Sequence, residues 1–154
     1  MKRISVLVVL LALILVWRWL AVSDPPATPE PPPTQTATGS YTVVPMSYMD
    51  AASALAQDDF VKAREALTLL GKESKGDLQA RALAASRTAD IDAMRESFKS
   101  LSERAAINMS YPDDYAVAFC PTYKDGSKWI QKRDAPIANP YLGKANPTCG
   151  SFVD

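Results

Sequence analysis

The chain contains no histidine, and that absence removes a large part of protein chemistry. Ser-His and Cys-His nucleophilic catalysis, His-ligated zinc and an imidazole pH switch all require the missing ring. Charge of one sign is lacking as well: 17 Lys and Arg stand against 17 Asp and Glu in 154 residues. After position 40 the balance is 14 basic to 15 acidic. The basic excess of a nucleic-acid binder is therefore absent, and no nucleic-acid partner is expected. Cysteine is limited to two residues, Cys120 and Cys149, and no CxxC pair occurs. With no nucleophile–base pair to assemble, the chain is not expected to be an enzyme.

What is present divides into three stretches. Residues 1–23 are almost wholly apolar, with Lys2 and Arg3 leading an uncharged run from Ile4 to Trp17 that resumes after Arg18 and continues to Val22. Nineteen helical residues would rise roughly 28 Å, close to a bilayer's hydrocarbon thickness. The basic lead holds the N-terminus inside, so the rest of the chain is expected across the inner membrane, facing the periplasm (N-in, C-out). Trp17, Arg18 and Trp19 suit the membrane–water interface. The competing reading is a cleavable signal peptide ending near Ala21-Val22-Ser23, which would release the chain to the periplasm.

Residues 24–40 form a Pro-rich linker, with prolines at 25, 26, 29, 31, 32 and 33 among Thr, Ala and Ser. Such a segment has little apolar surface to bury and favours extended polyproline-type backbone.

Residues 41–154 have the size of one domain. Ser47–Ala56 places Tyr48, Ala52 and Leu55 on one helical face after Pro45. Asp58 is positioned to cap a second helix with Phe60, Ala63, Leu67 and Leu70 as its stripe, and Gly71 to stop it. Asp77 is expected to cap a third helix carrying Leu78, Ala82 and Ala85. Ile91, Met94, Phe98, Leu101, Ala105 and Asn108 recur at steps of three and four in a fourth. After Pro112 the pattern turns to strands over 115–119 and 128–131, around a Lys124-Asp-Gly-Ser127 turn. The last twenty residues, rich in Pro and Gly, read as an irregular loop. The expected fold is mainly α: an antiparallel bundle of three to four helices closed by a small C-terminal β-hairpin and loop cap.

Chemistry concentrates in that cap. In an exported domain Cys120 and Cys149 read as a disulfide, which would close a loop of about 30 residues for about 3.6 kcal/mol on the chain-entropy model. The alternative is a soft-metal site, because two thiolates suit Cu(I). The adjacent pairs Asp58-Asp59 and Asp113-Asp114 read as caps and turns rather than cation ligands. Arg95, Glu96, Ser102 and Glu103 read as solvated helix surface, and Met94 as core. Trp129, Tyr123, Tyr141 and Phe119 are expected to close the cap onto the helices.

Several segments together resemble a known family. They are Tyr48 with Ala52, Leu55 and Asp58-Asp59; Arg95 to Glu103; Phe119-Cys120-Pro121; Gly126 with Trp129; and Ile137-Ala-Asn139-Pro140-Tyr141-Leu-Gly143 followed by Cys149-Gly150. In this order they resemble the periplasmic domain appended to adaptor (membrane-fusion) subunits of copper/silver efflux pumps, also found as separate exported proteins. The resemblance runs from Tyr48 to Gly150. It implies a non-enzymatic accessory domain for heavy-metal (copper) efflux or homeostasis, with an envelope or efflux-system protein as partner. It implies Cys120 and Cys149 as Cu(I) ligands, and Trp129, Asn139, Pro140, Tyr141 and Gly143 as the packing of the cap. Where typical members carry two Met residues, this chain has Thr122 and Asn146. Cys120 and Cys149 are thus the only sulfur at that site, and a disulfide between them remains the other reading.

Overall fold

The computed structural model describes residues 43–153. They form four α-helices and a small three-stranded antiparallel sheet, a mainly α arrangement. Helix α1 (Met46–Ala56) starts directly after Pro45 and buries Tyr48, Ala51, Ala52 and Leu55. Helix α2 (Phe60–Glu73) is capped by Asp59, whose Oδ1 accepts the Lys62 N–H at 3.1 Å. The cap expected at Asp58 is thus displaced by one residue. Asp58 takes a left-handed φ of 59°, and its carboxylate is engaged by Arg95 instead.

Gly71 does not stop α2, which continues to Glu73. Its role is close approach: a Cβ there would lie 2.7 Å from Leu83 Cγ of helix α3 (Gly76–Ser86). Asp77 is not the cap of α3; it sits in the first turn and pairs with Arg81 Nε at 2.9 Å. Helix α4 (Ile91–Asn108) opens at Asp90, whose Oδ1 accepts the Ala93 N–H at 2.8 Å. Met94, Phe98, Leu101 and Ala105 are buried as their spacing predicts, whereas Asn108 is exposed. Arg95 and Ser102 also face inward, which corrects their reading as solvated surface: they are 8% and 0% exposed.

Strands β1 (Tyr115–Cys120), β2 (Ser127–Lys132) and β3 (Ser151–Val153) lie in the order β2-β1-β3. The β1–β2 turn passes through three left-handed residues, Lys124, Asp125 and Gly126. β3 falls within the stretch expected to be irregular loop. It pairs with β1 in the register Phe119↔Ser151, Ala118↔Phe152, Val117↔Val153.

The core gathers on α4, which packs against β2. Phe98 has its ring 5.4 Å from that of Tyr48 and 6.0 Å from that of Tyr141, and Trp129 meets Tyr141 edge-on at 5.9 Å. Each such buried side chain contributes about 1.5–3 kcal/mol. One oxygen ties three elements together. The Tyr48 hydroxyl of α1 hydrogen-bonds Ser102 of α4 and accepts the Ile130 N–H of β2 at 3.1 Å. Burial pushes that phenol up to about 12, so it stays protonated.

Among the described residues no helix is long and apolar enough to cross a membrane. The expected membrane anchor, and with it the periplasm-facing placement, is thus not met by any described helix. The segment expected to be anchor or signal peptide (1–23) and the Pro-rich linker (24–40) lie outside the described residues.

Candidate functional site

Cys120 is the last residue of β1, and Cys149 stands two positions before β3. The Phe119↔Ser151 register carries both to the same end of the sheet. Gly150 makes the approach possible. Its φ is 130°, and a Cβ there would sit 2.8 Å from both the Phe119 carbonyl oxygen and Trp129 Cη2. The two sulfurs are consequently 2.7 Å apart. Thr122 Oγ1 lies 3.3 Å from Cys120 Sγ and 3.2 Å from Cys149 Sγ. Cys120 is fully buried, while Cys149 is half-buried.

Neither of the two chemistries expected of this pair is supported by its geometry. A disulfide bond is about 2.05 Å long; at 2.7 Å the sulfurs are unbonded and both cysteines are free. The disulfide is therefore corrected to a dithiol. The metal reading lacks support on two grounds. Among the described residues no group of three or more His, Cys, Asp or Glu is placed to hold a metal ion. With about 2.3 Å from a metal to each sulfur, the 2.7 Å separation would pinch the angle at the metal to about 70°, far from tetrahedral or linear. The pair as placed does not fit a bridging Cu(I), and Thr122 offers a hydroxyl where a thioether would suit a soft ion.

The two thiols differ in character. Burial pushes the Cys120 thiol up, but hydrogen bonds from Cys149 and from the Thr122 hydroxyl and backbone outweigh it, and the group falls to about 7. Cys149, hydrogen-bonded to Cys120, is raised above its ordinary value. Of the two, Cys120 is thus the thiol that ionises more readily.

The loop carrying Cys149 is held by Asn139. Its backbone N–H donates to Pro147 O at 2.8 Å, and its Nδ2 donates to Cys149 O at 2.7 Å. Its Oδ1 accepts the N–H groups of Tyr141 (2.8 Å) and Leu142 (3.0 Å). Asn139 is fully buried, so these bonds act in a dry environment where an orphaned polar group is costly. The Tyr141 hydroxyl donates to Lys128 O, and Trp129 Nε1 donates to Gln131 Oε1 at 2.9 Å. Pro140 is buried, and its carbonyl accepts Arg95 Nε at 3.1 Å. Gly143 has φ 53°, and a Cβ there would run into the Asp58 carboxylate and the Arg95 guanidinium.

Arg95, Asp58, Ser102 and Thr122 take part in roles that sequence reasoning did not assign them: Asp58 was expected as a helix cap, Arg95 and Ser102 as solvated surface, and Thr122 only as the replacement of a Met. Arg95 Nη2 donates to Leu55 O at 3.0 Å and to Asp58 Oδ1, joining the end of α1, helix α4 and the Asn139 loop. The signal was available: Arg95 and Ser102 are seven apart, beside the Met94, Phe98, Leu101 stripe. Met46 and Met49 instead line an apolar groove of about 320 Å³ with Tyr115 and Trp129. No family model, curated protein or solved structure matches the chain.

Proposed function

We propose that this is a non-enzymatic accessory domain of the heavy-metal-handling kind it resembles. Its working group is the Cys120/Cys149 dithiol, used as reactive thiols rather than as a preformed metal centre. The observation that carries this reading is the juxtaposition of two free cysteines at one end of the sheet, one of them buried and thiolate-prone. A protein partner from an efflux system belongs to the same proposal. So does the finer architecture, in which the four helices form an antiparallel bundle capped by the sheet and the Asn139 loop. Short helix connections and the packing of α4 on β2 support it.

The test is intact mass with thiol labelling, before and after titration with Cu(I). The expected result is two labelled thiols in the native chain, with labelling undiminished by one equivalent of Cu(I). Stoichiometric protection of both thiols by Cu(I) would refute the reading in favour of a metal site. A chain already two hydrogens light, with no labelling, would refute it in favour of a static cross-link.

A further inference from the structure

The dithiol is asymmetric, and the asymmetry assigns an order of reaction. We propose that Cys149 is the site at which a small-molecule disulfide such as oxidised glutathione attaches, and that Cys120 is the resolving thiol that displaces it. The inference rests on the dithiol reading given above. It adds the class of co-reactant, a low-molecular-weight disulfide, and a role for each sulfur.

Access decides the first step. Cys120 is fully buried at the end of β1, so a substituent on its sulfur has no room. Cys149 is half-buried in a loop whose neighbours Pro147 and Thr148 are exposed. Alignment decides the second. Thiol–disulfide exchange needs the attacking sulfur, the attacked sulfur and the leaving sulfur nearly in line. Cys120 Sγ approaches Cys149 Sγ from the protein side at 2.7 Å, which leaves the solvent side for the departing thiolate. The reverse order would require a thiolate to leave through the core.

The steps balance. Cys149 gives its proton to solvent, and its thiolate attacks one sulfur of RS–SR. A Cys149 Sγ–SR bond forms and RS⁻ departs. The Cys120 thiolate then attacks Cys149 Sγ, the Sγ–Sγ bond forms, the Cys149–SR bond breaks, and a second RS⁻ leaves. The cysteine pair loses two electrons, the small disulfide gains them, and one proton is released. Because the Cys149 thiol is raised and the Cys120 thiol lowered, the first step is slow and the second fast.

The experiment uses the full chain with oxidised glutathione, followed by intact mass and peptide mapping. Cys120→Ser is expected to accumulate one glutathionyl group, mapped to Cys149. Cys149→Ser is expected to react more slowly by about tenfold or more, as the buried sulfur is shielded. The wild-type chain should become two hydrogens lighter without a lasting adduct. A brief pulse of limiting N-ethylmaleimide on the wild type, which needs no variant to fold, should label Cys149 ahead of Cys120. Equal or faster modification of Cys120 in either assay overturns the order while leaving the dithiol reading intact. No reaction of either cysteine, under conditions where the urea-unfolded chain reacts, overturns the dithiol reading itself.

Discussion

Arg95→Ala is the perturbation whose cost follows most directly from the geometry. The side chain is 8% exposed and reaches four acceptors: Pro140 O, Leu55 O, Asp58 and Asp92. The Asp92 side chain is 90% exposed, so its loss counts for nothing measurable. That of Asp58 is 36% exposed, and solvent screening holds this pair to at most about 1 kcal/mol. The two carbonyls are the larger effect. Each loses a charged donor, at about 1.5–3 kcal/mol apiece. Because one side chain makes both bonds and the void admits some water, the sum is about 3–4 kcal/mol. At roughly 4 °C per kcal/mol for a domain of this size, the midpoint should fall by about 12–16 °C. Thermal unfolding followed by circular dichroism reads this directly. Arg95→Lys should recover little of it, since one ammonium cannot serve two carbonyls from the positions of Nε and Nη2. A midpoint within about 2 °C of wild type for Arg95→Ala would show that the Arg95 bonds carry no net stability.

Tyr48→Phe removes the oxygen shared by Ser102 and the Ile130 N–H and should cost about 1–3 kcal/mol in urea unfolding; an unchanged midpoint would mean water replaces the hydroxyl. Asp58 is held below the usual carboxylate range by the Arg95 hydrogen bond, so its contribution is present above the unfolded value of about 4 and is lost as pH falls through the depressed folded value. Melting temperature against pH should therefore drop less steeply below about pH 4 in Asp58→Asn than in wild type, and parallel curves would sink the assignment. Asn139→Ala frees the Cys149 carbonyl and two loop N–H groups; thiol labelling at Cys120 should accelerate by about tenfold or more as the loop opens. Labelling at the wild-type rate would show that Asn139 does not hold the pair closed.

The helices were legible because their signals are local. Apolar residues at steps of three and four mark the buried face of α4 whatever it packs against, and an Asp before an apolar run marks a helix start to within two residues at Asp77 and to within a single residue at Asp58. That single residue was the difficulty at Asp58-Asp59. Both can cap, and the choice of Asp59 was made by Arg95, 37 positions away from Asp58. Gly71 misled for a related reason, since a helical glycine required by a neighbour such as Leu83 looks the same in sequence as a stop. β3 was invisible because three residues carry no alternation, and its pairing partner Phe119 lies far back in the chain. At the site, the cysteines were legible as a pair but their state was not. Whether two sulfurs are bonded, bridged or merely in contact depends on about an ångström of loop placement, which Gly150 and Asn139 set through contacts with distant residues.

Gly150 also shapes what substitutions this domain can tolerate. A side chain at that position would have to displace the β1 backbone or the Trp129 indole, and the loop moving outward to relieve the clash would carry Cys149 with it. In a saturation library selected only for folding, position 150 should accept a few small residues at a cost. In one selected for a closed dithiol it should accept glycine alone, while exposed Thr148, two residues earlier, varies freely under both selections.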